Sequence, residues 1–220
     1  MNTAWSSKNK EMQTLLKKES SFKDGMKALF ELRNILMEQI FQYKKILKRE
    51  DYDAMPFMNA KGYHSKTVAY SLWHIFRIED IVLHTLIQND KEILFSGKYQ
   101  KKISSPIITT GNELVKQQIA DFSKQLNIEQ LFKYIEDVRK STEDVLSTLT
   151  FSDLKRRMGS DGKESIVQLG VVSPDENASW LIDYWMSKDV KGLIQMPFSR
   201  HWIMHIEACS RIIAKLGFSV

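Results

Sequence analysis

The chain has 220 residues, 32 basic against 27 acidic side chains for a net charge of +5, five histidines and one cysteine. A chain of that length buries roughly 70% of its unfolded surface, so it fits one domain over 1–220, with its core at about 22–216, and needs no disulfide or structural metal to fold. Lone Cys209 excludes an internal disulfide framework. The opening MNTAWSSKNK lacks a continuous apolar stretch, and no run of about 18 apolar residues follows, so neither a leader nor a membrane span is expected. A cytoplasmic protein is. Basic clusters at Lys44-Lys45, at Lys101-Lys102 and at Lys155-Arg156-Arg157 come without zinc-finger, homeodomain or RNP-like patterns, so charge alone does not make nucleic acid the expected partner.

In chain order, residues 1–19 suit a short amphipathic helix around Met12, Leu15 and Leu16. From Phe22 to Arg49, Met26, Leu29, Phe30, Leu36, Ile40, Tyr43 and Leu47 recur at helical spacing, with Ser20, Ser21 and Asp24 as cap candidates. A second long helix is predicted over about Ser65–Asn89, started by Gly62–Ser65 and stopped at Asn89-Asp90. Residues 110–125 suit a shorter one. A third long helix runs over about Ile128–Leu149 behind the cap Asn127, and the last from near Pro197 to Leu216, closed by Gly217. Four such helices without strand-like alternation predict an all-α four-helix bundle with extra short helices. The connection 150–196 is long for a bundle and carries SWLIDYWM at 179–186. It is expected to pack as an extra subdomain or to wall a cleft.

Phosphate loops, GxSxG, CxxC and HExxH are absent, and no histidine follows a Glu by three positions, which argues against a ferritin-like di-iron site. Adjacent acidic pairs such as Glu79-Asp80 diverge by about 100° on a helix and usually mark solvated faces. His201 and His205 stand four apart in the last helix, separated by about 40° and 6 Å, so both reach one cation if they face inward. His64, His74 and His84 are spaced by ten residues, about 15 Å, so at most one joins the pair. His74, flanked by Trp73, Ile75 and Phe76, is the best placed. Such a three-nitrogen set suits zinc, nickel or iron and leaves positions open for water and substrate. On spacing alone, histidines with ordinary hydrogen bonds remain the commoner arrangement. Cys209, one turn beyond His205, is a fourth-ligand or redox candidate, with a small buried hydrophobe as its commoner role.

LWHIFRIED, Leu72 to Asp80, resembles the second-helix histidine motif of the DinB/YfiT-like superfamily, and RHWIMHI, Arg200 to Ile206, resembles its last-helix HxxxHI. The resemblance implies a four-helix bundle holding a divalent metal through His74, His201 and His205. It also implies activity of the kind some members have, in which the metal activates a low-molecular-weight thiol such as bacillithiol or mycothiol for transfer to a small electrophile. The 150–196 connection departs from the shorter members. On this reading Arg77, about 60° round the helix from His74, is a candidate to hold a substrate carboxylate. Trp202 is a candidate for substrate contact, forming an apolar wall with Trp180, Tyr184 and Trp185. The alternative is a non-catalytic, metal-binding or stress-related bundle, with a homodimer admitted.

Overall fold

Apolar side chains recurring every third or fourth residue generate helices throughout, and the computed structural model, which describes residues 2–219, has no β-strand among them. Helix α1 (Thr3–Leu15) is capped by Asn2, whose side chain accepts from the Ala4 and Trp5 amides. It lies along α2 (Phe22–Ile46), a helix of 25 residues and so about 37 Å long. The expected serine cap of α2 is not made. Ser21 Oγ donates to the Leu15 carbonyl at 2.7 Å and so ties α1 to α2.

Helix α3 (Val68–Asp80) starts three residues later than Ser65 because Thr67 takes the cap, accepting from the Tyr70 amide at 3.0 Å. Ser65 Oγ instead donates to the Gly62 carbonyl. Beyond Asp80 the helix continues in π-helical turns from Ile81 to Gln88 and ends at Asn89, in the left-handed region at φ 55°. Two short helices, α4 (Ile93–Ser96) and α5 (Tyr99–Ile103), have too few residues to show a period. Then come α6 (Gln117–Gln125) and α7 (Ile128–Thr148), the latter capped by Asn127 as expected. The long connection folds into α8 (Ser160–Leu169), α9 (Glu176–Met186) and α10 (Val190–Gln195). A π-helical turn at Met196–Arg200 with Pro197 at its start leads into α11 (His201–Lys215), and Gly217 follows at φ +96°.

Helices α2, α3, α7 and α11 close the four-helix bundle. Phe41 stacks on Phe132 between α2 and α7, and Tyr43 donates from α2 to the Ile206 carbonyl of α11 at 2.9 Å. Phe76 on α3 packs against Trp202 on α11, and Trp73 against Tyr134 on α7. A second apolar cluster joins the π-helical part of α3 (Ile81, Val82, Leu86) to Ile166, Leu181, Trp185 and Leu193 of the connection. Full burial of each such side chain contributes about 1.5–3 kcal/mol, so the connection packs as part of the core. No helix among the described residues is long and apolar enough to cross a membrane.

Candidate metal centre

His74 sits mid-way along α3, and His201 and His205 occupy the first two turns of α11, which packs against α3. The four-residue spacing puts both α11 imidazoles on the face that meets α3. Ring centroids lie 4.8–5.0 Å from His74 to the other two and 4.6 Å between His201 and His205. One nitrogen from each lies within 4.8 Å of the others, and all three residues are buried.

Hydrogen bonding separates these imidazoles from ordinary core histidines. His74 Nδ1 is 2.8 Å from the Thr110 carbonyl, which can only accept, so Nδ1 carries the proton and Nε2 keeps its lone pair. His201 Nδ1 and both ring nitrogens of His205 are buried without any partner. Each such atom costs about 1–3 kcal/mol in lost hydration. Burial draws His74 down to about 4, against the Thr110 bond that raises it, and holds His201 and His205 well below the usual imidazole range; neighbouring histidines lower those two further. The imidazoles are therefore neutral near pH 7, the form that ligates. A buried, neutral three-nitrogen set with orphaned donor atoms fits a divalent ion of the zinc, nickel or iron type.

The loop at 108–111 fixes the α3 side of the site. Tyr70 donates to the Gly111 carbonyl, Trp73 Nε1 to Thr109 and Arg77 Nε to Ile108, flanking the His74–Thr110 bond. Residues 70, 73, 74 and 77 form one helical stripe, so successive turns of α3 are tied to successive carbonyls. Gly111, at φ +81°, has Tyr70 Cε2 only 3.0 Å from where a Cβ would stand, so the close approach requires glycine. The Tyr70 ring lies parallel to His74 at 5.5 Å. No sequence signal beyond the Thr109-Thr110-Gly111 turn composition pointed to this loop.

Arg77 and Trp202 stand elsewhere than expected. The Arg77 guanidinium is fully buried, bonded to Glu92 at 2.6 Å and beside Asp80 at 3.4 Å, and does not reach the cavity at the histidines. It positions the 108–111 loop and leaves no donor for a substrate carboxylate there. Trp202 follows His201 directly, which turns it about 100° away. Its Nε1 donates to Glu79 at 2.8 Å, and its ring is stacked under Arg33. Glu79 and Asp80 are also not a solvated pair. Both are fully buried, Glu79 in a two-pronged bond to Arg33 and Asp80 accepting from Tyr134 and the Ile93 and Leu94 amides.

A cavity of about 200 Å³ opens over the three imidazoles. Trp180, Leu181, Tyr184 and Trp185 of α9, with Met196, Pro197 and Ile78, form its apolar side, and Tyr63 and Asn112 the rest. The 150–196 connection therefore both packs and walls the cleft. Cys209 is buried outside the histidine set, and burial pushes its thiol up to about 12, as befits a small core hydrophobe. His64 packs on Phe57, and His84 is buried between Asp90 and Ser141, and neither belongs to the set of three. No protein-family model matches the chain, and no curated protein matches it.

Proposed function

We propose that this chain is a metal-dependent enzyme of the thiol S-transferase kind, in which His74, His201 and His205 hold a divalent transition metal beneath a cleft for a small electrophile. The observation that carries the reading is the set of orphaned nitrogens on His201 and His205 at the floor of an apolar cavity. Core histidines are hydrogen-bonded, whereas these buried atoms have nothing to accept from or donate to, and one nitrogen of each of the three rings lies within 4.8 Å of the others. Open access above them suits a catalytic site better than a closed structural one. The resemblance of Leu72–Asp80 and Arg200–Ile206 to the DinB/YfiT-like motifs supports the same assignment and the choice of a low-molecular-weight thiol as co-substrate.

A divalent ion bound there supplies Lewis acidity, which lowers the pKa of a thiol or water toward neutrality. The chain's own residues do the rest. His74 keeps its proton on Nδ1 through Thr110, leaving Nε2 as a donor of fixed direction. The apolar side of the cavity excludes water from the reacting carbon. In the transfer, sulfur forms the new C–S bond, the leaving group departs with its bonding pair, and the thiol proton passes to solvent, since no carboxylate lines the cavity.

Elemental analysis of untagged protein, with His74→Ala and His201→Ala beside it, tests the metal. About one ion per chain in the wild type and little in either variant is expected; undiminished metal in both variants overturns the site. Consumption of a thiol and an electrophile, followed with and without chelator, tests the chemistry. A rate abolished by chelator and restored by metal supports the transferase. A metal-loaded protein with no rate leaves a non-catalytic metal-binding bundle.

A further inference from the structure

The side of the cavity above the histidines is built from ring faces. Trp180 and Tyr184, one helical turn apart on α9, stand 6.0 Å between centroids at 70°, with Trp185 beside them. Met196, whose polarisable sulfur favours aromatic neighbours, and Pro197 continue that side, while the ring of Tyr63 stands edge-on to His205 at 4.9 Å.

Two of these rings are exposed at a cost that the fold does not explain. Trp180 is 51% exposed and Tyr63 46%. Trp180 has its one polar atom satisfied internally, since Nε1 donates to the Asn177 carbonyl at 2.9 Å, so what it offers the cavity is an apolar indole face. No carboxylate, ammonium or guanidinium lines the cavity, and the Lys66 ammonium acts on His74 and His205 from outside the lining, so an ionised group against the α9 side would be desolvated with no charged side chain beside it. Arg200, which lowers the Tyr184 pKa against the effects of burial, lies outside the lining. The volume of about 200 Å³ exceeds the roughly 150 Å³ of an apolar cavity that takes benzene. It holds one substituted ring.

We infer that the electrophile bound here carries an uncharged aromatic ring, seated against Trp180 and Tyr184 with its reacting carbon toward the histidines, and that α9 is the specificity element. The inference rests on the enzyme reading above for the word electrophile, and on the cavity alone for the ring. Stacked and edge-on contacts with these rings discriminate a planar arene from a saturated ring of similar size by about tenfold.

Calorimetric titration of the protein as purified with nitrobenzene and with nitrocyclohexane tests it. Nitrobenzene is expected to bind about tenfold more tightly, and Trp180→Ala to remove most of that preference; because Trp180 is half exposed, the variant folds, which far-UV circular dichroism verifies. Equal affinities in the wild type, or a preference untouched by both Trp180→Ala and Tyr184→Ala, overturn the inference. Elemental analysis of the same samples reads the metal separately. Protein that holds no metal yet prefers nitrobenzene retires the enzyme reading and keeps the aromatic site. Protein that holds metal and shows no preference does the reverse.

Discussion

Within seven residues, α3 carries two kinds of buried polar group. Arg77, Glu79 and Asp80 are fully buried and fully partnered: Arg77 with Glu92, Glu79 with Arg33 and Trp202, Asp80 with Tyr134 and two backbone amides. One turn earlier, His74 meets two imidazoles of which three nitrogens have no partner. Each ion pair has its counter-charge supplied by the chain itself, so its architecture is complete without a ligand. The histidine set lacks such a partner, and a bound cation would take one lone pair from each ring. The contrast marks out the candidate metal site more sharply than burial, which the two groups share.

Breaking the partnered set is expected to have the largest effect. Glu79→Ala leaves the buried Arg33 guanidinium with only the longer Glu143 contact at 3.4 Å and the Phe198 carbonyl, and should cost about 3–5 kcal/mol in urea unfolding. A loss within 1 kcal/mol, on the order of an exposed pair, would show that Arg33 finds water. For the orphaned set, metal at a hundred times its dissociation constant should stabilise the wild type by about 2.7 kcal/mol and His201→Ala not at all. Equal stabilisation of both would place the ion elsewhere.

Acid should then separate the two sets in chelator-treated protein. Unfolded histidine takes up a proton near pH 6.5, but folded His74 does so only at about 4. Stability is therefore fully present above pH 6.5 and lost as pH falls toward 4. The slope is up to about 1.4 kcal/mol per pH unit for one histidine, with His201 and His205 adding in the same direction. Urea midpoints at pH 7.5, 6 and 5 read this, and a flat profile would show that the imidazoles protonate freely in place. The smallest effect is expected at Cys209. Cys209→Ala should leave metal content unchanged, and the native thiol should react with a disulfide reagent more than about a hundredfold more slowly than in the unfolded chain.

Much of the bundle could be read from the sequence where the signal is local. Asn127, Asn89 and Gly217 end or begin helices as their side chains or positive φ dictate. The three histidines were legible because helical spacing is rigid over four residues and the second-helix histidines are too far apart for more than one to join. Partners were not legible where they come from afar. Nothing near Glu79 announces Arg33, which lies 46 residues away in sequence, and adjacency of two acids suggested solvent. Arg77 reads as a cleft residue for the same reason, because Glu92 arrives only when the chain after Asn89 turns back ahead of α4. Trp202 erred by proximity: the residue next to a ligand on a helix faces away from what the ligand faces. The aromatic wall was half legible, since SWLIDYWM was conspicuous but its juxtaposition with His201 depends on α10 and the π-helical turn that follow it.

The floor and the wall of the cavity come from different stretches of chain. Ala178, Leu181 and Trp185 anchor α9 in the second apolar cluster, while Trp180 and Tyr184 lie on its more exposed side. Heritable change at those two positions can therefore retune what is bound while leaving the histidines and the ion pairs of α3 intact. Drift along one short helix can thus reshape the wall of the cavity while the three imidazoles at its floor stay as they are.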